Sequence, residues 1–549
     1  MPIVTTALPT GEGMLRSNIV VAVGTALSRI TGLIRVVVFS YVIGQTALAD
    51  AYDGANNSPN AVYELLLGGI LSASLVPLFT KHVEEDDDDA TTAVVTTAIV
   101  ALTLLTALAF LAAPWIFHLF SINPPDTVNA NQYREVGTVL ARIFLIQIFF
   151  YGLSALGAAL LNARRRFFAA AWAPVLSNLV IIVSLLLVPG VVGHKDIALG
   201  EVLTNNGLRY TLGLGATIGI AVMALALWPA LKSAEVPMRI NTNFRHPAVK
   251  TLLRLSGWTL GFAVANQLAL IVVKNLALGS GEGQQAAYTA AFTFFVLPHG
   301  LLAVSIATTF VPELSRFVVR RDKPAFIERT SLGIRMVALL TIPAGFGLFV
   351  LRRSIIGGIL QHGRLNADQA LNTSRALAGF AVGLAGFSIY LFVLRGFYAH
   401  QDARTPFIIN CFENALNVML AFVLVGRYGI LGLGLSFGIA YLVSAALALK
   451  VLSYKVPGFE VRPIYQSLAR MVLAATIMAE AVWWVGRNVG ANAGNAAIPR
   501  AVLGTIVGAL VYVIVLLLLR APELDLLRDR ILPKPKSPAV TDDTSDTRT

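Results

Sequence analysis

The chain has 549 residues, 56% of them hydrophobic and 13% charged, with a net charge of +12. Soluble domains carry about 25% charged residues, so this balance excludes an ordinary soluble protein and predicts an all-α polytopic membrane protein. The single cysteine, Cys411, excludes an intrachain disulfide framework, and the surplus of Lys and Arg bears on membrane topology rather than on nucleic acid.

Continuous apolar stretches such as 93–117 and 502–519 lack the alternation of a membrane barrel and match the roughly 20 residues of a spanning helix. About fourteen spans are predicted in chain order, near 15–43, 58–80, 91–120, 135–161, 168–190, 210–232, 251–278, 286–311, 330–351, 371–399, 407–426, 429–450, 464–486 and 500–520. The first is too long for a signal-peptide core and has no small-residue cleavage site, so it reads as a retained helix. The divisions follow: 1–14 as an N-terminal cytoplasmic segment, 15–232 as a first lobe, 233–250 as a cytoplasmic linker, 251–450 as a second lobe, 464–520 as two further helices. Residues 521–549 form a polar cytoplasmic tail that starts with helical character and ends disordered. The basic loops Arg164–Arg166, Lys232–Lys250 and Arg316–Arg329 fall on one side, which places both termini in the cytoplasm. The acidic run Glu84–Asp89 lies on that same side and reads as a solvated loop.

The two lobes repeat each other. Residues 212–221 (LGLGATIGIA) and 431–440 (LGLGLSFGIA) share seven of ten positions, Asn178 and Asn414 are 236 residues apart, and Ala51-Tyr52 recurs as Ala287-Tyr288 at the same offset. Six spans per copy is an even number, so the copies have the same orientation and are related by a pseudo-twofold axis along the membrane normal. Transporters of this build bind cargo between the halves and rock them. The Gly215/Gly219 and Gly434/Gly438 pairs read as helix-packing positions.

Charge inside the spans carries the functional signal. The first span holds Ser28-Arg29-x-x-Gly32-x-x-Arg35. An arginine at mid-membrane costs about 2.5–3.5 kcal/mol on insertion scales, so two in one span call for a watery cavity or structural pairing. Six residues of helix separate them by about 9 Å of rise and about 120° of rotation, which suits a broad cavity read from two heights, with Gly24 and Gly32 letting the helix bend. Guanidinium groups favour phosphate and diphosphate through paired hydrogen bonds. Glu64, Arg254, Lys274, Arg395, Glu413 and Glu480 are the other ionisable candidates, and Lys274 and Glu64 are expected to pair or to line the cavity. There is no nucleophile–base set, phosphate loop or metal-ligand spacing, so neither enzyme activity, metal nor cofactor is expected.

Several motifs resemble the MurJ/MviN family of lipid II flippases: SRITGLIR (28–35), Asp50-Ala51-Tyr52, Ser58-Pro59-Asn60, Ser74-Leu75-Val76-Pro77, 159–178, FVPELSRF (310–317), 360–370 and RGFYAHQDARTP (395–406). The resemblance covers about residues 14–450. It implies two six-helix lobes plus two helices, and transfer of lipid II, or a related polyprenyl-diphosphate glycan, between leaflets for peptidoglycan synthesis. It implies substrate contacts from Arg29 and Arg35 and an acid, Asp50, at the outer end of the first span; beside these, Ser28, Asn60 and Lys274 are candidates for substrate contact, and Asp50, Glu64 and Gly32 for gating or ion coupling. Drive would come from the membrane potential or a monovalent cation. The partners would be the lipid substrate, membrane lipids and cell-wall synthesis proteins, with no nucleic acid. The chain departs from the family pattern at Val36, Tyr63, Glu64 and Thr293, where an acid and three arginines are usual. Two alternative readings stand beside this one: a cation-coupled drug or metabolite antiporter of the same superfamily using Glu64 or Asp50, and a non-transporting cell-wall scaffold.

Overall fold

The computed structural model describes residues 11–64, 69–194, 196–237, 239–244, 246–249 and 257–524. The remaining residues, including Arg254 and the tail from 525, lie outside the described set. Every regular element among the described residues is helical. A lipid interior leaves backbone groups no water to bond, so each span must satisfy its own.

The first lobe contains α1 (Gly11–Ile43), α2 (Ala47–Tyr63), α3 (Gly69–Glu84), α4 (Asp88–Leu111), α5 (Ala130–Leu145), α6 (Gln147–Ala163), α7 (Phe168–Val192) and α8 (Asn206–Leu225). The second contains α9 (Gly257–Gly279), α10 (Gln284–Pro298), α11 (Val304–Val319), α12 (Lys323–Ile359), α13 (Ala367–Ala399), α14 (Arg404–Tyr428) and α15 (Ile430–Lys455). Two more helices, α16 (Arg462–Asn488) and α17 (Ala497–Leu518), pack on α12. Thirteen helices among the described residues are long and apolar enough to cross a membrane, and α2 with α3 occupies the place of the second predicted span. Outward leucines such as Leu104, Leu108, Leu111, Leu517 and Leu518 are exposed, the pattern of a lipid-facing surface.

The second span differs from its expected limits of 58–80, because α2 already begins at Ala47. Gly44, at φ +74°, ends α1, and the Thr46 side chain caps α2 by accepting from the Ala49 amide. The stretch Asp50–Asn57 looks like a loop by hydropathy, yet Asp50 and Ser58 are buried against protein rather than lipid. Asp50 therefore opens the second span instead of closing the first. The last span-8 feature is a break: Pro298 has no amide to donate, and a π-turn at His299–Ala303 separates α10 from α11.

Equivalent residues of the repeat make equivalent contacts. Asn178 of α7 donates to the Ser28 carbonyl (3.2 Å) and Thr31 Oγ1 (3.0 Å) of α1. Its counterpart Asn414 of α14 donates to Asn266 Oδ1 of α9 (2.9 Å). The glycine pairs are packing positions. A β-carbon at Gly383 of α13 would overlap the Gly438 backbone, and one at Gly434 would meet the Ala376 carbonyl; Gly215 and Gly219 sit on Ser184 and Ile181 of α7. Gly24 and Gly32 likewise lie where α1 meets α7, beside Trp172 and Asn178, and α1 runs through both without interruption. The first described residues of the tail are also packed: Glu523, 1% exposed, pairs with Arg335 of α12 at 3.2 Å.

Candidate functional site

The α1 helix lies between the lobes. Asn178 ties one face of it to α7, while Leu33, Val36 and Val37 pack on the apolar core of the second lobe. Both arginines project from this helix. Arg35 lines a cavity of about 110 Å³ with Ser40, Tyr52, Asp53, Asn56 and Thr289, so that both lobes supply its walls. Arg29, about 9 Å further along the helix, is exposed and lies against Gly300, where its Nε would be 3.5 Å from an added β-carbon. The π-turn after Pro298 thus presents bare backbone to the guanidinium. Neither arginine makes an ion pair with a described residue. Ser28 contributes its carbonyl to Asn178, and Asn60 is half-buried on α2.

One end of the cavity is closed by two reciprocal caps. The Asp50 carboxylate, fully buried, accepts from the amides of Gly283 (2.6 Å) and Ala286 (2.9 Å) at the start of α10. Glu282 in turn accepts from the Ala47 amide at the start of α2 (3.0 Å). Each carboxylate meets the orphan donors and positive dipole end of the other lobe's helix. Ala47 and Glu282 are 235 residues apart and Asp50 and Ala286 are 236 apart, so the pseudo-twofold axis passes through this seal. The α1–α2 turn is held as well: Gln45 donates to Thr373 Oγ1 and accepts from Gln369 Nε2, and the Arg364 amide donates to the Tyr41 carbonyl.

Behind the seal stands a second cross-lobe set. Asp53 Oδ2 accepts from Lys274 Nζ (2.5 Å), Gln285 Nε2 (3.0 Å) and Thr289 Oγ1 (3.1 Å). Lys274 is 3% exposed and also donates to Thr289 (2.8 Å). The expected Lys274–Glu64 pairing is not formed. Glu64 lies eleven residues, about 16 Å, along the span from Asp53; it is exposed and makes no ion pair with a described residue. Sequence reasoning missed Asp53, Glu282, Gln285 and Thr289. The signal was present in the repeat: Asp53 and Thr289 share the 236-residue offset.

An apolar groove of about 470 Å³ runs beside this site between α12, α16 and α17. It begins at Pro298, next to the turn that meets Arg29, and continues past Leu339, Pro343, Leu348 and Met478 to Gly508. One guanidinium in the cavity, a second against the Gly300 turn, and an apolar groove that begins at that turn suit a molecule that is anionic at one end and hydrocarbon at the other.

The family model for lipid II flippase MurJ matches residues 39–495. The chain belongs to the lipid II flippase MurJ family. It is 27% identical to the lipid II flippase MurJ of Burkholderia cenocepacia over 491 residues, covering 86% of this chain and 90% of that protein. It is 28% identical to the probable lipid II flippase MurJ of Bdellovibrio bacteriovorus, covering 85% and 87%. Among solved structures, a lipid II flippase MurJ in an inward closed conformation superposes with a TM-score of 0.75 at 23% identity, over 93% of this chain and all of that one. An inward-facing multidrug transporter of the MATE family, in the MOP superfamily, follows at 0.63 and 15%, over 79% of this chain and 99% of that one. These likenesses establish the shared fold. The family match begins at Phe39, four residues past Arg35 on the same uninterrupted helix.

Proposed function

We propose that this MurJ-family protein moves a polyprenyl-diphosphate-linked glycan precursor, lipid II in the first instance, from the inner to the outer leaflet of a bacterial inner membrane by alternating access. The observation that carries this reading is the placement of Arg29 and Arg35 on the inter-lobe helix without an acidic partner among the described residues, Arg35 in the cavity between the lobes and Arg29 against the Gly300 turn where the apolar groove begins. The diphosphate would meet the guanidinium groups, and the hydrocarbon tail would lie in the groove against α16 and α17. The Asp50–Glu282 seal closes the outer end, with both termini in the cytoplasm. Rocking the lobes would break those caps and carry the headgroup across while the tail stays in lipid. The membrane potential, worth about 2.3 kcal/mol per charge per 100 mV, or a monovalent cation would supply the drive. Other cell-wall synthesis proteins are the natural partners for handing the product on.

The test is complementation of cells depleted of an authentic lipid II flippase. The wild-type chain should restore growth and cell shape. Arg29→Ala and Arg35→Ala should each abolish rescue while the amount of protein in the membrane is unchanged. Normal insertion of the wild-type chain with no rescue would overturn lipid II as the cargo.

A further inference from the structure

We propose that Asp53 is a charge switch that couples anion affinity to the seal, held by Lys274 while the seal is closed and turned onto Arg35 when it opens. The proposal rests on the functional reading above and adds a release step to it.

Asp53 belongs to the first lobe, on α2. All three of its side-chain donors, Lys274, Gln285 and Thr289, belong to the second. The set lies directly beneath the seal, so the rocking motion that separates Asp50 from Gly283 must also separate Asp53 from Lys274. With the lobes together, Lys274 neutralises Asp53, and the cavity presents the charge of Arg35 unopposed. With the lobes apart, a carboxylate that had three partners has none. Leaving it bare in a partly dehydrated site is costly, so it takes the nearest cation. Within its own lobe that cation is Arg35, which lines the same cavity as Asp53. An Arg35 occupied by Asp53 is a poor diphosphate ligand. The anion is therefore gripped while the outer end is sealed and loosened once it is open, which favours release outward. Lys274 acts here as a positioning residue: it keeps Asp53 away from Arg35 and need not touch the substrate.

The arrangement makes a pairwise prediction that neither a structural ion pair nor a direct Lys274–phosphate contact shares. Purified full-length protein is titrated with inorganic diphosphate in four forms: wild type, Lys274→Met, Asp53→Asn, and the double variant. Lys274→Met should weaken diphosphate binding by tenfold or more, because Asp53 turns onto Arg35 even in the sealed state. Asp53→Asn should bind as tightly as wild type or tighter, yet fail to rescue flippase-depleted cells, because release is lost. The double variant should bind like Asp53→Asn. An unchanged affinity for Lys274→Met, or a loss that persists in the double variant, would overturn the switch. Where Lys274→Met does not fold, the same comparison is made between Asp50→Ala and Asp50→Ala/Asp53→Asn, and the second should bind diphosphate at least tenfold more tightly. A wild-type protein that neither binds diphosphate nor rescues would instead count against the proposed function itself.

Discussion

Removing the Asp50 carboxylate should open the seal. Asp50→Ala deletes two hydrogen bonds from a fully buried carboxyl acceptor, to the Gly283 and Ala286 amides, and leaves both donors without a partner until water enters. Leaving a buried donor without its acceptor costs about 1–3 kcal/mol, so with two donors the closed state should lose about 2–6 kcal/mol. At roughly 1.4 kcal/mol per factor of ten, the open population should rise between about thirtyfold and about twenty-thousandfold. Asp50→Asn keeps one acceptor oxygen and should show roughly half that free-energy change. Glu282 makes the mirror-image cap on Ala47, but it is exposed, so Glu282→Ala should cost about 1 kcal/mol or less. The reporter is a cysteine at Ser40, a near-isosteric change 3% exposed on the cavity wall, placed in a Cys411→Ser background. Its reaction rate with a membrane-impermeant thiol reagent follows the open population. A rate in Asp50→Ala within threefold of wild type, or a larger effect from Glu282→Ala, would refute the assignment of the seal to Asp50.

Three further outcomes are expected. Gly383→Ala should destabilise the second lobe by about 1–3 kcal/mol, the usual range for overpacking, because the new methyl overlaps the Gly438 backbone; thermal unfolding in detergent measures it. Glu523→Ala should cost about 2–4 kcal/mol by leaving Arg335 unpaired, and Glu523→Ala/Arg335→Met should recover much of that in the same assay. At the α13–α14 turn, burial alone would raise the Asp402 carboxyl, but hydrogen bonds from Lys455 and from the Thr405 hydroxyl and amide outweigh it and bring it down to about 2 from an ordinary 3.8. A depressed carboxyl stabilises the fold above its unfolded value, and that contribution is lost as pH falls from 3.8 toward 2. Unfolding temperature should therefore drop over this window in wild type and drop less in Lys455→Met.

The spans were legible wherever both the helix and its surroundings are apolar. The one clear misreading, the start of the second span, came from a helix whose polar residues face protein: Asp50 and Ser58 are buried there, and a hydropathy scale tuned to lipid counts them as loop. Arg29 and Arg35 stood out because charge in a span is expensive. Lys274 stood out for the same reason, but its partner did not, since Asp53 looked like a loop residue while Glu64 lay inside the predicted span. The glycine pairs were correctly read as packing positions. Gly24 and Gly32 were expected to let α1 bend, and they instead face Trp172 and Asn178 across a helix contact.

By itself, the sequence determined the membrane class, the helical fold, the internal repeat and the presence of two costly cations in the first span. Each of these follows from composition or from periods within one segment, and the lipid environment punishes departures from them locally. Which residues meet across the lobes was decided only by tertiary structure. The Asp50–Ala286 and Asp53–Thr289 contacts join positions 236 residues apart, and they exist because two copies of one unit dock about a common axis. A pattern along the chain records what each helix needs from its solvent. It does not record which lobe will supply the partner when two buried faces come together.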